Sequence, residues 1–422
     1  MKHNPGRLQQ LAAVGVLATL GVAACGTVSS RTHHGRHAPI IVGATEPLTG
    51  QFSADGIASL HGLELWASDV NEFGGLLGRP VRLKILNDNS DPGTVTRDYT
   101  KLITQDHVNL TVAPFSSLLT VEAAQVTRRY HYALPDGSGG APSVYALDDP
   151  WVFGITTPVV DQMVPFADWI LSLPPSQRPT SAAYPMVNDP FADPPVENTE
   201  QTLSKRGIKT VYYNVHNPVT ANASDSNLAS VADKVAAKDP QLVVLGTVDV
   251  PSLLAFVHAF QVRGFTPKIF IASSGPDQGE EFLHHIGPAN AEAMMVPDGW
   301  FGGEQNALSH VMVQDYIAKF GGTTNDINAD VAEAYSAGEI LATAVTHTGG
   351  LNNTAIDHYL HTHTVQTVQG AAKFTHNGTN IDSVGHSFIF QWQNSQFRQV
   401  LPAHTTGSAA VEATKPRWQL TG

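Results

Sequence analysis

The sequence predicts an α/β protein of two doubly wound parallel-sheet lobes, and three observations lead there. Short β-rich runs alternate with helical patterns from Pro39 onward. Such alternation sets strands parallel and puts helices on both faces of a sheet. The strand–helix units are too many for one comfortable sheet, and 422 residues suffice for two domains.

In order, the β-rich runs are Ile40–Ala44, Val81–Asn87, Val108–Ala113, Ser181–Val187, Thr210–Tyr213, Leu242–Leu245, Lys268–Ala272 and Ala293–Val296. In the first helical pattern Ile57, Leu60, Leu63, Ala67, Val70 and Phe73 recur three or four residues apart, and Gly74-Gly75 stops it. Asp91-Pro92 opens the next helix as N-cap and first helical residue, with Val95, Tyr99 and Leu102 on its apolar face. Further helices fit Leu118–Tyr130, Val160–Leu171, Val196–Lys205, Asn227–Lys238, Pro251–Arg263, Ser309–Phe320 and Ala329–His347. No short-period repeat or low-complexity tract interrupts the series.

The N-terminus has a different character. Lys2 and Arg7 precede an apolar run over Leu11–Val22, followed by Ala23, Ala24 and Cys25. Charged, apolar and small-residue regions in that order make a secretory signal peptide over 1–24. The run is shorter than the roughly 20 residues a bilayer requires. The following stretch "TVSSRTHHGRHA" is polar and aperiodic, a tether over 25–38. His33, His34 and His37 in it have nothing nearby to fix a metal geometry.

Composition narrows the function. Cys25 is the single cysteine, so no internal disulfide can form. Formal net charge is −13, and an acidic surface argues against nucleic acid, whose phosphates need clustered Lys and Arg. His284-His285 and His361-x-His363 lack a third ligand at suitable spacing and read as solvated faces, so no metal is expected.

Two resemblances sharpen these readings. Val22-Ala23-Ala24-Cys25 resembles a bacterial lipobox, in which the cysteine becomes the first mature residue and carries the lipid. It implies an exported protein held at Cys25 on the outer face of the bacterial cell membrane. Several later segments, in order, resemble the type I periplasmic binding proteins of ABC transporters, in the branched-chain amino acid branch. They are "IIVGATEPLTGQFSADG", "ASDVNEFGGLLGRPVRLKILNDNSDP", "VAPFSS", "PQLVVLGTVDVPSLLAFVHAFQVRGFTPKIF", "VQGAAKFTHNGTN" and "FIFQWQNSQFRQVLP". The likeness runs from about Ile40 to Pro402.

The resemblance implies lobes joined by three crossings, near Thr156–Pro158, Pro297–Trp300 and His386–Phe390. Lobe one is then 38–157 plus 300–386, lobe two 158–299 plus 387–405, with a C-terminal tail over 406–422. It implies a small-molecule ligand between the lobes, delivery to ABC permease subunits, a monomer, and no cofactor or catalysis. Open α/β sheets bind ligands beyond the carboxyl ends of their strands, which is the same place.

Candidate ligand contacts follow from it. Ser116 and Ser117 fall in the loop where the family binds a carboxylate, ahead of a helix N-terminus suited to an anion. Ser117 could equally cap its own helix. Gly137, Ser138 and Gly139 fall where the family uses main-chain groups, or form a plain turn. Phe191 matches an aromatic that closes over the ligand, or is a core residue. Asp277 matches the acid that holds the ligand ammonium, or caps a helix near Glu280. The family's tyrosine would fall at Val248, and Asp277 is shorter than the usual Glu, so the departures leave leucine, isoleucine and valine in doubt. Two other functions stay open: a ligand-binding sensor for a separate signalling chain, and an extracellular hydrolase using Ser138 or Ser117, although no G-x-S-x-G elbow is present.

Overall fold

A computed structural model describes residues 38–420 apart from 215–218, 221–224, 303–306, 383–386 and 404–406. The signal peptide, Cys25, His33, His34, His37 and His386 lie outside the described residues.

Strand β1 (Ile40–Glu46) is almost wholly buried, as a central parallel strand must be. Helix α1 (Ser53–Glu72) leads to β2 (Val81–Asn87), and α2 (Pro92–Thr104) leads to β3 (Leu110–Thr111). Asp91 caps α2 as expected, its carboxylate accepting from the Thr94 N–H at 2.7 Å. The sheet order is β2-β1-β3, all parallel. Helix α3 (Ser117–Tyr130), β4 (Leu134–Asp136), the short α4 (Pro142–Tyr145) and β5 (Val152–Gly154) follow, with β4 and β5 paired in parallel.

The chain then crosses to a second sheet. In order come α5 (Val164–Ser172), β6 (Ser181–Tyr184), β7 (Val187–Asn188), α6 (Asp193–Ser204), β8 (Lys209–Tyr213), β9 (Val219–Thr220) and α7 (Asp225–Ala236). Next come β10 (Leu242–Leu245), α8 (Val250–Arg263), β11 (Ile269–Ala272), α9 (Gly279–Ile286), α10 (Pro288–Ala291) and β12 (Met295–Asp298). A second crossing returns the chain to the first lobe, where α11 (Ala307–Phe320), α12 (Ala329–Thr348), α13 (Asn353–Thr362), β13 (Val365–Thr367) and β14 (Gly370–Ala372) pack. A third leads to β15 (Phe388–Gln393) and β16 (Gln396–Leu401). The second sheet has the order β16-β15-β12-β11-β10-β6-β8, with β15 antiparallel to both neighbours and the rest parallel.

Most of the expected strands shift by a residue or more, and three differences have a local cause. Ser181–Val187 breaks at Pro185, which has no N–H to give a ladder, so β7 pairs separately with β9. In Val108–Ala113 only Leu110–Thr111 pairs as a strand, because Val112 N–H bonds back to Gly43 while Ala113 N–H reaches Pro135 instead. The run at Ala293 starts two residues later, since Ala293 takes a left-handed φ of +61° and donates to the Trp392 carbonyl. The C-terminal segment is bonded along the second lobe: Lys415 N–H to the Lys268 carbonyl, and Trp418 N–H to Thr266 Oγ1.

The packing of α1 against α12 positions the site described below. Helix α12 is rich in Ala and buried over most of its surface. Gly338 on α12 faces the fully buried Trp66 ring of α1, and a Cβ there would lie 2.2 Å from Trp66 Cδ2. The Tyr335 hydroxyl donates to Asp69 Oδ2 at 2.9 Å, fixing the same pair of helices. In an open helix interior Gly→Ala gains about 1 kcal/mol. Here the indole cannot yield, and overpacking costs about 1–3 kcal/mol. Gly338→Ala should therefore lower stability in urea unfolding; a more stable variant would contradict this helix contact.

Candidate functional site

The lobes meet over the carboxyl ends of their strands, where ligands of open α/β sheets sit. A cavity of about 40 Å³ lies there. The first lobe contributes Phe115, Ser116 and Ser138, from the loops after β3 and β4. Thr156 and Gln162 come from the first crossing. The second lobe contributes Phe191, Val248, Ser273, Ser274, Asp277 and Gln278, after β7, β10 and β11. Pro297 and Asp298 end β12, and Ala329, Asp330 and Glu333 open α12.

Of the paired serines, Ser116 faces the cavity. It is the N-cap of α3, its Oγ accepting from the Leu119 N–H at 3.3 Å, and its φ of +80° is unusual for a residue with a Cβ. Its own N–H donates to Ser138 Oγ at 3.0 Å. Both hydroxyl hydrogens stay available to an acceptor. Ser117 does not reach the cavity. It is fully buried, and its Oγ accepts from the Ala141 N–H at 3.1 Å, so it holds the next loop instead. Gly137 and Gly139 do not line the cavity either. A Cβ on Gly137 would lie 2.8 Å from the Glu333 carbonyl carbon, and one on Gly139 2.2 Å from Asp136 Oδ2. Gly137 lets the β4 loop press against α12, while Gly139 makes room for the Asp136 carboxylate, to which its N–H is bonded at 2.9 Å (Oδ1).

In the second lobe, Phe191 lines the cavity and its N–H donates to Asp189 Oδ1 at 2.8 Å, which fixes the turn that carries the ring. Asp277 also lines it. It does not cap α9, whose N-cap Gln278 makes no side-chain capping bond. The Asp277 carboxylate instead accepts from the Gly275 N–H at 2.5 Å and the Ser274 hydroxyl at 3.2 Å. Direct bonds join the lobes around the cavity. Gln51 Nε2 donates to Asp249 Oδ2 at 2.7 Å, Asn328 Nδ2 to Gln278 Oε1 at 2.7 Å, and Gln278 Nε2 to Asp330 Oδ2 at 3.2 Å.

The charge of the lining is one-sided. Asp277, Asp298, Asp330 and Glu333 line the cavity, and no Lys, Arg or His does. Burial raises all four carboxyls above the ordinary range. Asp277 is pushed up to about 6 and Asp330 to about 7. Burial also holds Asp298 and Glu333 well above the ordinary range, helped by the charges of Asp277 and Asp330 at Asp298 and of Asp330 and Asp298 at Glu333. Asp55, at the start of α1, is raised by burial and by Asp330 and Asp277, and its Oδ1 has no hydrogen-bond partner. A buried carboxyl with a raised pKa favours the closed arrangement while protonated and opposes it once ionised.

Sequence reasoning missed most of this lining. Asp330 and Glu333 stand three apart at the start of an Ala- and Val-rich helix, and two acids on one otherwise apolar face were the available signal. Asp298 ends a buried strand, a second signal of the same kind. Thr156 and Gln162 carried none. Val248 lines the cavity at the position where the family resemblance implies a tyrosine. Ser138 has no histidine beside it in the cavity. His361 Nε2 lies 3.5 Å from Asp357, and His285 Nδ1 2.8 Å from the Glu281 carbonyl. Among the described residues no group of three His, Cys, Asp or Glu is arranged to hold a metal ion, and no helix is long and apolar enough to cross a membrane.

Known proteins share this fold. The chain is 22% identical to an amino acid binding protein of Pseudomonas aeruginosa over 366 residues, 86% of this chain and 93% of that one. Two solved structures superpose well. One is the branched-chain amino acid transporter substrate binding protein LivJ from Streptococcus pneumoniae in complex with isoleucine, with TM-score 0.71, 17% identity, and 85% and 97% of the two chains covered. The other is an ABC transporter solute binding protein from Rhodopseudomonas palustris in complex with benzoate, with TM-score 0.72, 16% identity, and 90% and 99% covered. The family model described as periplasmic binding protein matches residues 39–396. With that match over most of its length, the chain belongs to the periplasmic binding protein family, a family of solute receptors.

Proposed function

We propose that this protein captures a small solute outside the cytoplasm by closing its two lobes on it, and delivers it to an ABC permease. The observation that carries the reading is the cavity at the lobe junction, lined from both sheets by strand-end loops. A ligand touching both lobes adds interaction only in the closed state, and that difference drives closure. The lobes are 38–157 plus 300–386 and 158–299 plus 387–405, with the tail over 406–422 joined to the second, and the receptor acts as a monomer.

Within the cavity Ser116 and Ser138 donate their hydroxyls to the ligand's acidic end, beside the positive end of α3. The relatives bound to isoleucine and to benzoate support this assignment, since those two ligands share a carboxylate. Phe191 covers the ligand from the second lobe, and Asp277 pairs with its ammonium. Hydrogen bonds to charged groups contribute about 1.5–3 kcal/mol each. Ser116→Ala should weaken binding of a carboxylate ligand about tenfold or more by calorimetry. Ser117→Ala should lower stability and leave affinity near its original value. Equal affinity loss from both would contradict the division of roles between the two serines.

Acylation at Cys25 tethers the receptor beside its permease, with the polar segment 25–38 as spacer. Buried acyl CH₂ groups contribute about 0.8 kcal/mol each. Cys25→Ala expressed in a bacterial host should move the protein from the membrane to the soluble fraction. A variant that stays membrane-bound after a salt wash would contradict the tether.

A further inference from the structure

The charged groups of the cavity are all acidic: four carboxyls line it beside hydroxyls, two side-chain amides and apolar side chains. Four carboxylates reach it from three places in the fold: Asp277 before α9, Asp298 at the end of β12, and Asp330 and Glu333 in the first turns of α12. Asp298, Asp330 and Glu333 are each at least nine-tenths buried, at 8%, 9% and 8% exposure. Gln162 adds a neutral acceptor. It is 7% exposed and lines the cavity; its amide nitrogen donates to the Thr157 carbonyl, and its Oε1 has no partner. Asp55 Oδ1, within electrostatic reach of Asp277 and Asp330, is likewise buried and unpartnered. An unpaired buried acceptor costs about 1–3 kcal/mol, and an unpaired buried charge more. Two such acceptors beside four acids call for a donor-rich, positively charged occupant.

We propose that the solute is a short organic cation with two basic nitrogens, a diamino acid or a diamine, rather than an apolar-side-chain amino acid. This rests on the reading of the cavity as the solute site and names what fills it. An isoleucine-type zwitterion brings one ammonium and one carboxylate, which leaves the remaining acids uncompensated. A second basic nitrogen compensates one more. Gln162 Oε1 accepts from one nitrogen, and the faces of Phe115 and Phe191 suit ammonium groups through their ring quadrupoles. The cavity of about 40 Å³ holds roughly three waters, which favours a short chain. A divalent metal ion fits poorly, since no three acids stand together at ligating positions among the described residues.

The proposal fixes a direction for protons. The groups facing the cluster are Glu46 at the end of β1, Asp55 on α1, Asp136 on β4, Tyr145 on α4, Asp249 at the α8 N-cap, Asp277, Glu281 on α9, Asp298, Asp330 and Glu333. No cation is among the causes that raise Asp55, Asp136, Asp249, Asp277, Asp298, Asp330 or Glu333. With Asp277 near 6 and Asp330 near 7, the cluster is partly protonated at pH 6.5. An entering dication displaces those protons, so binding releases them and strengthens as pH rises toward 7.5. A zwitterion brings no such replacement charge.

The test is calorimetric titration of the full chain at pH 6.5 in two buffers of different ionisation enthalpy, and again at pH 5.5 and 7.5. The probes are 2,4-diaminobutyrate, ornithine, putrescine, leucine, benzoate and calcium chloride. The expected result is that a dibasic probe binds tightest, with net proton release, and at least about tenfold tighter at pH 7.5 than at pH 5.5. The amino acids binding better than putrescine assigns the carboxylate to Ser116 and Ser138, whereas putrescine binding best makes the ligand a diamine. Asp330→Asn should lose about tenfold in dibasic affinity and show smaller proton release. Its ligand-free melting temperature should not fall, since a repelling charge is removed; Glu333→Gln serves as a second variant. Leucine, benzoate or calcium binding tightest, binding without proton release, or no dibasic probe binding at millimolar concentration would each overturn the proposal. Distance labels on the two lobes, read with each probe, keep the broader reading separate. Leucine that binds and closes the lobes sinks the cation alone, while probes that bind without closure sink the cleft as the solute site.

Discussion

The constraint on which this structure turns is the burial of acids without a matching base. Asp277, Asp298, Asp330 and Glu333 converge where the two lobes close, and no cationic side chain lines the same space. An isolated carboxylate taken out of water costs several kcal/mol unless it is protonated or paired. The closed arrangement therefore exists with its acids protonated, or with positive charge brought from outside. A receptor built this way ties closure to charge, because the groups that close the lobes are the groups that need neutralising.

The rest of the fold presents those acids in register. Trp66 seats into the face of α12 at Gly338, which sets the helix against α1 and points its first turns at the cavity. Gly137 brings the β4 loop onto the same helix turn at Glu333. Across the junction, Asp189 fixes the Phe191 turn, and Ser274 with Gly275 orients Asp277. Three neutral-amide contacts, from Gln51, Gln278 and Asn328, then latch one lobe to the other. Bonds of this kind contribute about 0.5–1.5 kcal/mol each between neutral groups and about 1.5–3 where Asp249 or Asp330 is ionised. The lobes can thus exchange between open and closed when the charge balance at the centre changes.

Much of the fold was legible in the sequence because it rests on local rules. Strand and helix alternated with clear periodicity, Asp91-Pro92 and Gly74-Gly75 punctuated where punctuation was expected, and the order of segments carried the family. What escaped was set by tertiary neighbours: Pro185 splitting a strand, and Ala293 in a left-handed turn held by Trp392. The site divided the same way. Ser116, Ser138, Phe191 and Asp277 come to the cavity, while Ser117 turns to Ala141, Gly137 serves helix packing and Gly139 closes on Asp136. Which of two adjacent serines faces a cavity depends on one backbone dihedral that no spacing reveals. Asp298, Asp330 and Glu333 lie on elements whose sequence looked like core, and their convergence depends on crossings far apart in the chain.

The link between charge and closure is tested most directly by small-angle scattering of the ligand-free protein against pH. Opening the junction returns these buried carboxyls to water and toward their ordinary range, so on this account the closed form binds more protons, and closure is favoured below the shifted values and lost as pH rises through them. The radius of gyration should be small at pH 5 and larger at pH 8.5, with the change centred near 6–7. An Asp298→Asn, Asp330→Asn double variant should remain compact at both. A radius that does not change with pH in the parent protein would contradict the account.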